Sequence, residues 1–456
     1  MEYENRTENP LGVLPVPVLL KKFAVPSIIA MLTSALYNIV DQFFIGNSVG
    51  ALGNAATNIA FPLSTACISI ALLFGIGGAS AFNLAKGRGN EEEAVHCMGN
   101  AITGMMVLGC LLLLVTQLFL ERMIRFFGAP DSIMEYAKTY IRITSLGFPV
   151  LILTAGGGHL IRADGSPKMS MICNVTGAII NTILDALFVF GFEWGMAGAA
   201  WATVIGQYIS VMLVIRYLSH CKTVDLKPKH LKPAAGYMKK DVTLGAASCS
   251  NQLAMMVVQL VMNKSLTYYG ALSSYGQEIP LACAGIITKV NQVFFSIIIG
   301  ISQGLQPIVS YNYGAKQYDR VKKGYLLAAK SGLMISVIAF LIFQIFPRQI
   351  IAIFGNGSEE YIRFAVSYFR IFLFFTFLNF IQPITSNSFT AIGKPGLGMF
   401  LSLTRQILFL LPLIVILPFF IGIDGILFAG PIADGLAGAV AVFLMYRELK
   451  RPEYQV

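Results

Sequence analysis

Two carboxylates occupy stretches where a carboxylate is costly. Asp185 lies in KMSMICNVTGAIINTILDALFVFGFEWG, residues 168–195, a run long enough to supply the ~20 apolar residues that cross ~30 Å of hydrocarbon. Asp41 lies in SALYNIVDQFFIG, near the end of an earlier apolar run. An ionised carboxylate at the bilayer centre costs ~2.5–3.5 kcal/mol, so both should face protein rather than lipid. Desolvation and a neighbouring like charge both favour the neutral or ion-bound form, so close approach of the two would make a site for a proton or a small cation. Asn181 precedes Asp185 by four residues and shares its helical face. With Thr203, and with Tyr37 one turn before Asp41, it could complete an oxygen-lined site. That set, Asp41, Asn181, Asp185 and Thr203, would also be the ligand set if the ion is sodium. Pro26 interrupts the backbone hydrogen bonding of the run that carries Asp41, and a bend there would move Asp41 relative to Asp185.

The elements that must hold these residues follow from composition. Of 456 residues, 56% are hydrophobic and only 12% charged, with a mean hydropathy of +0.69. That is more apolar surface than a soluble core of this size buries, so the chain reads as an all-α integral membrane protein with the lipid bilayer as its main partner. The net charge of +10 does not point to nucleic acid, because the basic residues fall in short breaks between apolar runs, with no basic face interleaved with aromatics. The seven cysteines form no CxxC pair, so neither a disulfide framework nor a zinc site is expected. The first apolar segment lacks a cleavage-site pattern and reads as retained.

Apolar runs predict about twelve spans, near 18–45, 54–85, 95–120, 133–161, 169–192, 198–218, 242–269, 280–312, 325–346, 361–391, 397–420 and 425–446. Lys and Arg concentrate in alternate breaks, at Lys86 and Arg88, at Arg162 and Lys168, in the lysine-rich stretch 220–240, at Lys316 to Lys323, and in the tail. By the positive-inside rule both termini then face the cytoplasm. The third break is the exception, with Arg122 and Arg125 on the opposite side beside Glu121 and Asp131.

Landmarks recur in the same order in both halves. RFFGAPDSIMEYAKTYIRI from Arg125 matches AIFGNGSEEYIRFAVSYFRI from Ala352, RADGSPKMSM from Arg162 matches TAIGKPGLGM, and GMAGAAWATVIG from Gly195 matches GIDGILFAGPIAD. Such a repeat predicts two six-helix lobes, residues 1–219 and 241–456, joined by a cytoplasmic linker at 220–240 and related by a pseudo-two-fold axis along the membrane normal. The second lobe has no acid in register with Asp185; Leu411 to Leu413 stand there. It offers amides and thioethers instead, and Gln252, Met255, Met256, Gln259, Asn291, Gln303, Gln306, Asn379 and Gln382 are candidates for a central substrate cavity. GIGGAS at 75–80 mimics a dinucleotide fingerprint but follows no strand, so close helix packing is expected of it.

Twelve spans, the six-plus-six repeat, YNIVDQFFIG and the segment from Ser166 to Thr203 resemble the multidrug and toxic compound extrusion (MATE) transporters, in particular their prokaryotic MepA/DinF-like branch. The resemblance implies a monomeric, multi-pass protein of a prokaryotic cytoplasmic (inner) membrane. It also implies a non-enzymatic antiporter that exports cationic or amphipathic small molecules by alternating access, coupled to H+ or Na+, with no other cofactor. It implies Asp41, Asn181, Asp185 and Thr203 as the cation site, with Tyr37 beside them and Pro26 as the bending point. An asparagine of the fourth span found in archaeal relatives is absent; Gly156 to Gly158 stand there. Two alternatives remain at this level. A lipid-linked oligosaccharide flippase would need mid-span basic residues for pyrophosphate, with Lys264, Lys289, Arg370 and Arg405 as the candidates. An intramembrane prenyltransferase would need a second acidic cluster to share magnesium, and Asp424 and Asp434 lack the company for it.

Overall fold

The computed structural model describes residues 9–127, 129–276, 278–354 and 358–454; Gly128 and residues 355–357, inside the first pair of repeat landmarks, lie outside the described residues. Among the described residues there are helices and no strands. The spans are Val16–Ser48, Leu52–Gly87, Glu91–Phe126, Pro167–Gly191, Gly195–Leu218, Ala235–Ala271, Glu278–Gly314, Tyr318–Ile345, Glu359–Ala391, Pro395–Ile421 and Ile423–Leu449. The fourth of the twelve is a pair, Asp131–Ser145 and Phe148–Ala163, bent by 55°. Pro149 explains the bend: it opens the second half, where its missing N–H costs nothing, and it keeps the preceding residues from continuing the first half. The protein is a multi-pass membrane protein, and most helices extend a few residues past the apolar runs that predict them.

The repeat is visible in backbone detail. Gly165 and Gly393, at φ +86° and +77°, each stand two residues before a span that begins at a proline, Pro167 and Pro395. Gly195 and Gly422, at φ +53° and +61°, open the sixth and twelfth spans. The fifth and eleventh each pass into π-helix, at Ala186–Gly191 and Thr404–Leu410, and the tenth is broken around Thr376–Leu378 as the fourth is at Ser145.

An even number of spans returns the C-terminus to the end of the bundle where the first span starts. That end also carries the lysine-rich breaks and is called the basic end here. Of the misplaced bases of the third break, Arg125 is neutralised locally, 3.3 Å from Glu121 and 3.5 Å from Asp131, and the nearby Lys138 lies 3.4 Å from Glu121.

Buried apolar side chains gather in two large cores. One runs from Ile45 to Leu218; the other holds the seventh to twelfth spans together with Leu11, Leu19, Leu20, Phe23 and Ala24. The first span therefore starts in one core and ends in the other, and Pro26, buried within an unbroken helix, lies just past the last of those residues.

The lobes close on each other in the half nearest the basic end. A Cβ added at Gly77 would stand 1.9 Å from the Asp241 carbonyl oxygen, and one at Gly245 would stand 1.7 Å from the Leu73 carbonyl oxygen. Gly300 and Gly304 likewise press on Ile28 and Ala24, and Gly314 on Leu84. GIGGAS thus does the packing expected of it: Gly75 meets Gly156 of the fourth span, Gly77 the seventh span and Gly78 Ala101 of the third. Gln306 crosses the seam, donating to the Ile76 carbonyl at 3.1 Å and to Ser80 Oγ at 2.8 Å.

Candidate cation-binding site

The fold brings the first, fifth and sixth spans together around the acids. Asp185 is the last α-helical residue of the fifth span before it loosens into π-helix, a local widening that recurs at functional sites. It is 0% exposed, and Asp41, Asn181 and Thr203 are buried beside it. Asn181 Nδ2 donates to Thr203 Oγ1 at 3.2 Å. The Asp41 and Asp185 carboxyl groups lie within hydrogen-bonding reach of each other, and Tyr37, half-buried, stands beside Thr203 and both acids. All five residues singled out from the sequence therefore meet.

Their hydrogen bonding is incomplete in one direction only. Asp41 Oδ1, Asn181 Oδ1 and both Asp185 oxygens are buried acceptors that no donor reaches. An orphaned buried acceptor costs ~1–3 kcal/mol, and more when charged. Four of them in one place call for a positive species. A proton shared between the carboxyls satisfies two, and a hard cation coordinated by carboxylate, amide and hydroxyl oxygens satisfies the set.

One neighbour escapes a reading by sequence. Tyr140, in the first half of the bent fourth span, faces Asp41, Tyr37 and Asp185. Its landmark, TYIRI, repeats as SYFRI with the buried Tyr368, and a tyrosine common to both halves reads as packing.

The nine cavity candidates divide between interhelical contacts and partly exposed faces. Gln306 is locked in the seam, Gln382 donates to the Leu401 carbonyl at 3.1 Å between the tenth and eleventh spans, and Asn379 lies against Asp434. Gln303 reaches Met31 Sδ across the lobes at 3.7 Å. Gln252, Met256, Gln259 and Asn291 are partly exposed, and Met255 is 45% exposed. Gln259 donates only to Asn263, one turn along its own helix.

In the second lobe Asp434 is buried against a base, not an acid: Arg405 Nε of the eleventh-span π-helix reaches its Oδ1 at 2.5 Å. Register with Asp185 points to Leu413, whereas the pair sits two turns nearer the basic end and joins residues 29 apart. This lobe carries its positive charge covalently, where the first lobe leaves room for a mobile one.

The family model for MatE matches residues 26–187 and 247–416, nearly the same stretch of each repeat. The chain belongs to the MatE family. Curated relatives named multidrug export protein MepA include that of Staphylococcus haemolyticus, 25% identical over 427 residues, 93% of this chain and 92% of that one. MepA of Staphylococcus aureus is 24% identical over 435 residues, 95% and 94% of the two chains. Among solved structures, the MATE multidrug transporter DinF-BH in complex with R6G superposes with a TM-score of 0.90 at 32% identity, covering 99% of this chain and all of that one. An outward-facing MATE multidrug resistance transporter matches with a TM-score of 0.89 at 21% identity over 96% and 97% of the chains, which speaks to fold alone.

Proposed function

We propose that this MatE-family chain is a cation-coupled exporter of cationic or amphipathic small molecules, working by alternating access in a prokaryotic cytoplasmic membrane. The observation that carries the coupling is the buried Asp41–Asp185 pair, which with Asn181 leaves four acceptor oxygens unpartnered, Asp41 standing on the first span, the helix shared by both cores. Export as the direction and drugs as the cargo rest on the named relatives.

With the lysine-rich breaks cytoplasmic, the seam closes the cytoplasmic side and the structure is open outward. Half-exposed amides such as Gln252 and Asn291 are too costly to face lipid, so they line the outward cleft and offer drug contacts, with Met255 and Met256 as adaptable apolar surface. Binding of H+ or Na+ at Asp41 and Asp185 changes how the outer half of the first span packs. The inner half, pinned to the eighth span by Gly300 and Gly304, transmits the change to the seam through Pro26.

The flippase reading loses its best cation, because Arg405 is neutralised by Asp434. The same pairing removes Asp434 from any second acidic cluster for a prenyltransferase. Proteoliposomes under an imposed pH gradient and, separately, a sodium gradient test the proposal: one gradient drives drug movement in the wild type and none does in Asp185→Asn. Full gradient-driven efflux by Asp185→Asn would sink it.

A further inference from the structure

Among the described residues, Asp241 is the remaining carboxylate buried with no N–H or O–H donor on it. It lies at the start of the seventh span, is 0% exposed, and neither carboxyl oxygen accepts from an N–H or O–H group. Its own carbonyl oxygen is where Gly77 of the opposite lobe presses closest. The titratable groups around it are few. From the third span the Cys97 side chain stands beside it, with Glu93 one turn away. On its own helix Lys240 is drawn off to Glu93 at 2.5 Å. The second span brings Leu73 and Gly77 against its backbone, with Ala81 and Leu84 in the apolar cluster of Cys97 and Leu244. Beyond these, His96 stacks on Tyr237 with centroids 4.9 Å apart and meets His230 edge-on.

An ionised Asp241 would have no counter-ion in contact and only the weak Cys97 S–H as a donor, too little to offset burial of the charge, so the closed seam accepts its neutral acid. Sodium does not fit, because one carboxylate and a thiol are not an oxygen cage and backbone lies against backbone at this point. We propose that Asp241 is a second proton-binding site, built into the seal between the lobes. Its carboxyl O–H bond is intact while the seam is closed. When the seam opens, water enters, takes the proton and solvates the carboxylate. The proton thereby favours the closed seam, and alkalinity on the basic side favours opening. The inference rests on the alternating-access reading but not on the Asp41–Asp185 site being the coupling site.

Hydrogen–deuterium exchange of the full-length protein in proteoliposomes, followed on peptides covering 73–87 and 235–247 and corrected for intrinsic exchange, reads seam opening directly. One proton bound by the closed form alone makes opening rise about tenfold per pH unit across the titrating range. The wild type should show that slope, Asp241→Asn should be flat and protected, and Asp185→Asn should keep the slope. A wild-type seam with no pH dependence overturns the proposal without any variant, and so does an Asp241→Asn protein with the wild-type slope. If Asp185→Asn still exports drug while the Asp241-dependent slope stands, the coupling assignment falls and this site survives.

Discussion

Replacing Gly77 with alanine should open the seal between the lobes. The new methyl would lie 1.9 Å from the Asp241 carbonyl oxygen, against an ordinary contact beginning at 3.4 Å. The second and seventh spans must therefore part by about 1.5 Å, because a helix carbonyl cannot swing aside like a side-chain tip in a close-packed interface. Overpacking of this kind costs ~1–3 kcal/mol. Here it is charged almost wholly to the closed form, since the two helices separate on opening, and the equilibrium shifts by roughly 5- to 150-fold. Cys97, 0% exposed at the same seam, supplies the readout. Its alkylation, followed by mass on its own peptide, should accelerate by that factor. Gly75→Ala is the control: its Cβ would lie 2.6 Å from Gly156 Cα within one lobe, so it should lower Tm without speeding alkylation of Cys97. If Gly77→Ala leaves the rate unchanged, or Gly75→Ala raises it equally, the seam is not a contact that the transport cycle makes and breaks.

Other outcomes follow from the same geometry. Asp41→Asn should lose gradient-driven efflux while keeping its fold and its drug affinity, measured by flux in proteoliposomes and by equilibrium binding. Arg405→Met alone leaves Asp434 buried and unpaired and should cost ~3–5 kcal/mol, while Arg405→Met with Asp434→Leu should recover most of it, read by denaturation of the purified protein. His230 accepts from the Lys227 backbone N–H through Nδ1 at 3.0 Å; burial, then His96, Lys229 and Lys227, hold its pKa below that of an ordinary histidine. The folded form therefore binds the proton less readily than the unfolded one, so the linker's grip is complete above about pH 6.5 and weakens as pH falls through and below it. Proteolysis within residues 222–232 should quicken on acidification, and His230→Gln should flatten that response.

How far the sequence discloses this depends on what makes each residue conspicuous. Asp41 and Asp185 stand out because acids in apolar runs are costly, and the repeat landmarks set the lobes because they fall at backbone positions such as Gly165 and Gly393 that only a turn explains. Asp241 gives no such signal. It follows Lys239 and Lys240 in a stretch that reads as a solvated linker, and only the approach of Gly77 from the other lobe buries it. Arg405 and Asp434 are hidden for a different reason: each reads alone as an expensive charge, and only the crossing of the eleventh and twelfth spans shows that they cancel. An amide alone does not mark a cavity, because interhelical hydrogen bonds and cavity walls use the same side chains, as Gln306 and Gln382 show.

The asymmetry of charge between the lobes assigns the moving part. A buried ion pair resists separation, since breaking it leaves an uncompensated charge at a cost of several kcal/mol, so Arg405 and Asp434 pin the eleventh span to the twelfth in every state. The first lobe has no such pin at its acids, whose buried acceptor oxygens meet no donor. The first span joins the site of those acids to the core of the pinned lobe, with Leu19 and Phe23 in that core and Asp41 in the site. A proton or cation arriving at Asp41 and Asp185 therefore repacks one end of a helix whose other end is held, and the strain falls between them, near Pro26, where a backbone hydrogen bond is already missing. With Asp241 at the seam, ionisable groups bracket the path from both ends. In the proposed cycle, loading the outer site with its proton or sodium ion and unloading the proton of the seal become two steps of one motion, and neutralising either acid should leave the other step measurable on its own.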